Sequence, residues 1–366
     1  MEIDQVLGQM VKFNSSDLHL QEGFKPALRI DGALRRLDMD AVSREYMEAA
    51  IKQLLDPKQF ARFQEINEGD GGYQLEGVGR FRVNAYVALD CLNLAIRYIP
   101  LEIPKLDTLN LPTKVPELAL SKRGLILVTG VTGSGKSTSL ASMLRHINEN
   151  RRVKIITLED PVEFIHEEKL AGISQREVGL DTHSYAVGLK QVFRQNPDVI
   201  LLGEIRDEEV MTEALSGAET GHLVFSTLHT TDARHTITRI LSFYPPHDHA
   251  AVRELLAGVL VATISMRLLP MKGGGRIPSV ELMVNTALIE DIIAEEGRLH
   301  ELPDLIRDGR SQYGMQTFDQ CILEQFQEGL VEYEVAKINS SNPSEFDLAI
   351  QGITGGGAET GKDEEE

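Results

Sequence analysis

The segment Gly130-Val131-Thr132-Gly133-Ser134-Gly135-Lys136-Ser137-Thr138 satisfies the pattern G-x-x-x-x-G-K-[ST] at every fixed position. Each residue type has a use at this spacing. Gly130, Gly133 and Gly135 let the backbone curl so that successive N–H groups converge on one anion. Lys136 adds a point charge and Ser137 a hydroxyl for magnesium. The chemistry this suits is the binding of a triphosphate together with Mg²⁺. Before the loop, Gly124-Leu-Ile-Leu-Val-Thr129 is an apolar run of strand length; after it, Ser139-Leu-Ala-Ser-Met-Leu-Arg-His-Ile147 has helical spacing. Strand, glycine loop, helix is the context that separates such a loop from an ordinary glycine-rich turn.

Carboxylates follow at two strand ends. Asp198-Val-Ile-Leu-Leu-Gly-Glu204 is an apolar strand closing on an acid. Ligands of open parallel sheets bind at the C-terminal ends of strands, so Glu204 can hold magnesium or polarise an attacking water. A solvated acid after a core strand would look the same. Lys154-Ile-Ile-Thr-Leu158 runs into Glu159-Asp160-Pro161-Val162-Glu163. Acids this close disfavour one another's ionised forms, which is one way to prepare a general base beside a magnesium-bound triphosphate. Taken alone, that segment fits a surface acidic turn better. His222 and His229 bracket Leu-Val-Phe-Ser-Thr-Leu, and a histidine or Thr227 at the rim could report the γ-phosphate. Lone histidines are more often structural. Arg80, Arg82 and Arg97 have no acidic neighbours in sequence, so they are either exposed strand positions or donors of bidentate charge to a phosphate.

These residues need a scaffold, and 366 residues suffice for two domains of about 100–200 residues each. Residues 1–100 read as a small α+β domain with an antiparallel sheet. It begins with a helix and a strand, then has a hairpin over Leu28–Ile30 and Ala33–Leu37 turning at Asp31-Gly32. A helix spans 46–63, and further strands surround Gly77, Gly79 and 92–99. Prolines 104, 112 and 116 mark a linker over 101–116. From 117 to 354, strand runs at 125–129, 154–158, 198–202 and 223–227 alternate with helical segments, which predicts a mostly parallel α/β sheet covered on both faces. Helices dominate after Asp248, and 255–266 is expected to be a core helix. Residues 355–366 form an acidic tail with almost no apolar content, expected to be disordered.

Composition narrows the class. With 37 Lys and Arg against 56 Asp and Glu, the net charge of −19 repels a nucleic-acid backbone over most of the surface. Cys91 and Cys321 match neither a metal spacing nor a disulfide framework, which suits a reducing compartment. The N-terminus has no basic region followed by an apolar core, and no apolar run approaches the ~20 residues of a membrane span. The expectation is a cytoplasmic protein that reaches a membrane only through partners.

Together the blocks resemble the PilT/PilU group of type IV pilus retraction ATPases, within the secretion-ATPase superfamily. Ser16-Asp-Leu-His-Leu20, Arg80-Phe-Arg-Val-Asn-Ala85 and Ala95-Ile-Arg-Tyr-Ile-Pro100 look like its N-terminal signatures. Gly130 to Thr138 looks like its Walker A loop, Thr157 to Glu163 its Asp box, Asn196 to Asp207 its Walker B and Gly221 to Thr230 its His box. The resemblance implies a PAS-like N-terminal domain, a RecA-like ATPase domain and a homohexamer that hydrolyses Mg·ATP to drive pilus retraction. Gly130, Thr132, Gly133, Ser134, Gly135, Lys136, Ser137 and Thr138, with Glu159 and Asp160, would bind the nucleotide, and Ser137 and Glu204 the Mg²⁺. Glu163 would activate water, His222 and His229 would sense the γ-phosphate, and Arg82 and Arg97 would bring charge from the first domain. Partners implied are a pilus inner-membrane platform protein and a paralogous pilus ATPase. The family's Ala-Ile-Arg-Asn-Leu-Ile element is replaced by Ala287-Leu-Ile-Glu-Asp-Ile-Ile293, which looks closer to PilU-like paralogues. Rival readings are a DNA-translocating or conjugative ATPase and an accessory ATP-binding subunit of another motor.

Overall fold

A computed structural model describes residues 2–30, 33–99 and 102–351. The chain divides into two units. One comprises residues 1–103 with 159–167 and 175–181; the other comprises 104–158, 168–174 and 182–366.

In the first unit, α1 (Ile3–Lys12) precedes strands β1 (Asp17–Gln21), β2 (Ala27–Ile30) and β3 (Ala33–Arg36). Helices α2 (Arg44–Leu54) and α3 (Pro57–Ile66) lead into β4 (Glu68–Leu75), β5 (Gly79–Ala88) and β6 (Cys91–Ile99). The sheet runs β3-β2-β1-β6-β5-β4 with antiparallel neighbours. Alternation along β5 explains its burial. Phe81, Val83 and Ala85 face a core with Val6, Leu7 and Met10 of α1 and Met47 and Ile51 of α2, while Arg80 and Arg82 face the other way. The expected hairpin turn at Asp31-Gly32 lies outside the described residues; the strands beside it do pair, Ile30 with Ala33.

One helix was expected over 46–63, and two are found. Ser43 caps the first by accepting from Tyr46 N at 3.2 Å; Asp56 starts the second with a capping box completed by Gln59, and Pro57 sits in its first turn. Proline lacks the N–H that a continuous helix would need there, and Asp56 supplies a fresh start. The proline-marked stretch expected to be a linker packs into the second unit, with Leu106 and Val115 buried in its core. The acidic tail expected at 355–366 lies outside the described residues.

The second unit adds α4 (Val115–Ala119), β7 (Gly124–Thr129), α5 (Lys136–Asn150), β8 (Lys154–Glu159) and β9 (Gly172–Glu177). After these come α6 (Tyr185–Val192), β10 (Val199–Leu202), α7 (Glu208–Glu219), β11 (Leu223–Leu228), α8 (Ala233–Leu241), α9 (His249–Val259), β12 (Leu260–Pro270), β13 (Arg276–Val284) and α10 (Ala287–Ala294). Short helices follow to Ile350, including α13 (Phe318–Gln327) after α11 (Leu302–Asp308) and α12 (Arg310–Tyr313). The sheet order is β13-β12-β7-β11-β10-β8-β9, and β12, β7, β11, β10 and β8 are parallel to their neighbours within that run. Strand β11 therefore stands between β7 and β10. This is the expected α/β architecture, a RecA-like layer sandwich.

Strand β7 is buried on both faces, which is why it reads as unbroken apolar sequence. Leu125 and Leu127 pack with α7, α8 and α9 residues such as Met211, Ile237 and Leu256, whereas Ile126 and Val128 pack with Leu140, Met143 and Ile147 of α5. The expectation of a core helix over 255–266 is overturned. The helix α9 ends at Val259, and β12 begins at Leu260 between β7 and β13. A strand buried on both faces has no period to distinguish it from a buried helix, and β-branched Val261, Thr263 and Ile264 were the available signal.

Candidate nucleotide site

The glycine loop leaves β7 and enters α5 through residues only glycine fits. Gly130, Gly133 and Gly135 have φ of 141°, 80° and 97°. A side chain at Gly130 would also place its Cβ 2.4 Å from Met266 O and 2.6 Å from Ser134 Oγ. Gly135, the N-cap of the fifteen-residue helix α5, has no side chain with which to cap it. Lys136 Nζ donates to Gly130 O at 2.7 Å and Val131 O at 3.0 Å, bracing the loop with its own side chain. Among the described residues Ser134 Oγ is buried with no hydrogen-bond partner, and Thr132 and Ser137 are exposed. An uncapped helix start, a lysine and an orphaned hydroxyl are the donor set that a phosphate chain satisfies.

Parallel register brings further groups to the same rim. Strand β11 ends beside β7, with Leu228 opposite Thr129, and β10 ends beside β11. Thr227 Oγ1 donates to Gly203 O at 2.7 Å, Ile205 N to Thr227 O at 3.2 Å and Gly130 N to Leu228 O at 3.3 Å, so three consecutive rim loops are stitched together. Glu204 follows β10 at this rim. Its Oε1 is 3.2 Å from His229 Nε2, and its Oε2 is 2.9 Å from Arg206 Nη2. Glu204 and His229 are thus in contact, at the same rim of the sheet from which the glycine loop leaves β7. Asp207 and Asp232, adjacent acids, cap α7 and α8 by accepting from Val210 N and His235 N at 2.9 and 2.8 Å.

His222 does not join them. It precedes β11 and stands at the opposite end of that strand, where Nδ1 is 2.9 Å from Gly217 O and the ring packs against Phe193 at 5.4 Å between centroids. Two histidines bracketing one six-residue strand must lie at its two ends, so within one chain they cannot touch the same phosphate.

The acidic box groups with the first unit. Glu159 Oε2 accepts from Glu163 N at 3.4 Å and Glu159 O from Val178 N at 2.8 Å, and Asp160 is exposed. Sequence reasoning missed what organises it. Glu177, 5% exposed, accepts from Val162 N at 3.1 Å and from Arg80 Nη2 at 3.3 Å, and Arg80 Nε donates to Val162 O at 3.2 Å. Burial pushes the Glu177 carboxyl above the ordinary glutamate range, opposed by the Val162 N–H and by Arg80. Arg80 is therefore the part-buried ion-pair partner of a buried acid rather than an exposed strand residue. No sequence signal marked Glu177.

Arg82 and Arg97 are directly opposite each other across β5 and β6. Arg97 Nε donates to Asp17 Oδ1 at 2.9 Å, while among the described residues Arg82 has no partner. Among the described residues, too, no group of three or more His, Cys, Asp or Glu converges to hold a metal alone, and no helix is long and apolar enough to cross a membrane. A magnesium ion here would be shared between Ser137, Glu204 and the substrate's phosphates.

Comparison with known proteins agrees. Over 94% of its length the chain is 39% identical to the whole of the type IV pilus retraction ATPase PilT of Pseudomonas aeruginosa. It is 38% identical to the type IV pilus ATPase PilU of the same organism, over 96% of this chain and 92% of that one. The crystal structure of the pilus retraction motor PilT with bound ADP matches with a TM-score of 0.86 at 39% identity, over 94% of this chain and 98% of that one. A RecA-like sheet and a complete phosphate loop, in a chain this similar to pilus ATPases, make this protein a P-loop ATPase. The chain belongs to the Type II/IV secretion system protein family, whose model matches residues 2–272, and within it to the PilT/PilU type.

Proposed function

We propose that this ATPase is a hexameric motor of type IV pili, acting from the cytoplasmic side on an inner-membrane platform protein and driving retraction and twitching motility. The observation that carries the reading is the joining of Glu204 to His229 beside a braced phosphate loop, in a chain alike throughout its length to a retraction ATPase. The reaction is transfer of the γ-phosphoryl group of ATP to water. Lys136, the N–H groups of residues 133–138 and the Ser134 hydroxyl bind and orient the phosphates, with Thr132 and Thr138 at the loop's ends. Magnesium, held by Ser137 and Glu204, would neutralise charge on the phosphates. Glu163 takes the proton of the attacking water, with Glu159 and Asp160 keeping its surroundings acidic. His229, linked to Glu204, registers whether the γ-phosphate is present. Arg82 and Arg97 supply charge as the phosphoryl group leaves, from this chain or a neighbouring copy.

A second reading is an accessory subunit docked on a paralogous catalytic ring. The acids in 287–293 favour it, since they stand where the family's retraction motors carry a basic residue. Turnover and oligomer mass of the purified chain, followed by pilus retraction in a deletion strain, separate the two. A hexamer with turnover whose loss abolishes twitching supports the motor; a chain that binds ATP without hydrolysing it supports the accessory role. Salt-dependent DNA binding would favour translocation instead.

A further inference from the structure

Glu281, on β13, is 8% exposed and belongs to none of the groups assigned above. Its Oε1 accepts the N–H of Ala233, the first residue of α8, at 2.8 Å. Ala233 is itself fully buried, so this N–H has no access to water. One level of the sheet connects it to the nucleotide rim. Leu228 stands opposite Thr129, Thr129 opposite Ser265 and Ser265 opposite Glu281, across β11, β7, β12 and β13. Thr129 Oγ1 donates to Ser265 Oγ at 2.9 Å, with both side chains buried. Thr129 immediately precedes Gly130, and Leu228 immediately precedes His229.

The loop that carries His229 therefore leaves this level and returns to it. At its start Leu228 O accepts from Gly130 N; at its end Ala233 N is held by Glu281. Thr230 Oγ1 and Thr236 Oγ1, 2.7 Å apart, tie it to α8. We propose that Glu281 is a positioning residue for ATP hydrolysis: by anchoring Ala233 it fixes the height of residues 229–232 and with it the place of His229 against Glu204. This rests on reading Glu204 and His229 as parts of the ATP site. Glu281 acts through Ala233 N.

The anchor has a charge state. Burial raises the Glu281 carboxyl to about 7, opposed by the Ala233 N–H. Asp232, at the start of α8, and Asp319, on α13, raise it further, and Arg267, on β12, lowers it. An ionised carboxylate holds an N–H at the positive end of a helix more strongly than a neutral one does. The loop is thus held more firmly as pH rises through neutrality.

The test uses the full chain and measures ATP turnover and binding of a fluorescent ATP analogue between about pH 6 and about pH 8.5. Glu281→Ala should lower kcat about tenfold with nucleotide affinity within about twofold, because a displaced sensor harms the reacting geometry more than ground-state binding. Glu281→Gln keeps an acceptor but cannot ionise. It should restore most of the turnover and lack the component of wild-type kcat that rises through about pH 7. Should the alanine variant fold poorly, Glu281→Asp, which draws the oxygen back by one methylene, should lower kcat with unchanged affinity. Wild-type turnover in the variant that folds, equal losses of affinity and kcat, or a glutamine variant no better than alanine each overturn the anchor. A wild-type chain that binds ATP without hydrolysing it overturns the site reading as well.

Discussion

Glu204 Oε1 and His229 Nε2 lie 3.2 Å apart just beyond the ends of two neighbouring parallel strands, joining the acid that follows one strand to the loop that follows the next. His229 is half exposed and Glu204 is one-fifth exposed, so the pair opens on the side where the phosphate loop ends. Stability is not its purpose, since pairs this exposed contribute little.

The site separates binding from chemistry. Lys136→Ala should weaken nucleotide affinity more than tenfold, because the lysine meets phosphate in ground and transition state alike. Glu204→Gln should keep ATP bound and lose roughly 10²-fold in turnover. Equal loss of affinity in both variants, measured by equilibrium binding, would remove Glu204 from its role.

The arginines of β5 separate structure from reaction. Arg80→Ala strands a buried Glu177 carboxylate and should cost about 3 kcal/mol, lowering the melting temperature. Arg82→Ala breaks no contact among the described residues and should leave melting unchanged while slowing ATP turnover well beyond any change in affinity. Calorimetry with steady-state kinetics distinguishes them; melting losses of the same size at both positions would make Arg82 structural too.

Gly130→Ala meets Met266 O and Ser134 Oγ at distances no Cβ tolerates, at a φ that L-residues rarely adopt. Nucleotide affinity should fall by at least about tenfold, a cost in the range of backbone strain at a functional turn. Gly133→Ala meets open space and carries only the φ penalty, so it should bind ATP better than Gly130→Ala in the same titration.

Glu281 makes folding stability depend on pH. Its folded-state pKa is raised to about 7, so between the unfolded glutamate's value of about 4.3 and about 7 the native chain holds more protons than the unfolded one. The contribution is complete below that window and is lost as pH rises through it. Relative to Glu281→Gln, the wild type should therefore lose melting temperature between about pH 5 and about pH 8. A pH-independent difference between the two would place the residue's titration outside this window.

What the sequence disclosed was local. The phosphate loop and the apolar strand before it could be found because each is a short run with one meaning, whereas the acid after β10 was legible only as a strand-end carboxylate. The break at Asp56-Pro57 was equally local and went unread inside a longer helical pattern. The rest depends on neighbours distant in sequence. Arg80 is paired with Glu177, Glu281 with Ala233, and β12 is a strand because β7 and β13 flank it. His222 and His229 differ only in which end of β11 each occupies, and that became visible once the sheet's direction was known.

The single strand interposed between β7 and β10 sets a clearance. Two strand spacings, about 10 Å, separate the line of the phosphate loop from the line of Glu204. That gauge is ruled by main-chain hydrogen bonds, which side-chain substitutions leave in place. Sequence change can exchange the tooth that enters the slot, as at Thr227 or His229, but not its width. Members of such a family can therefore retune how the gap is read without rebuilding what it admits.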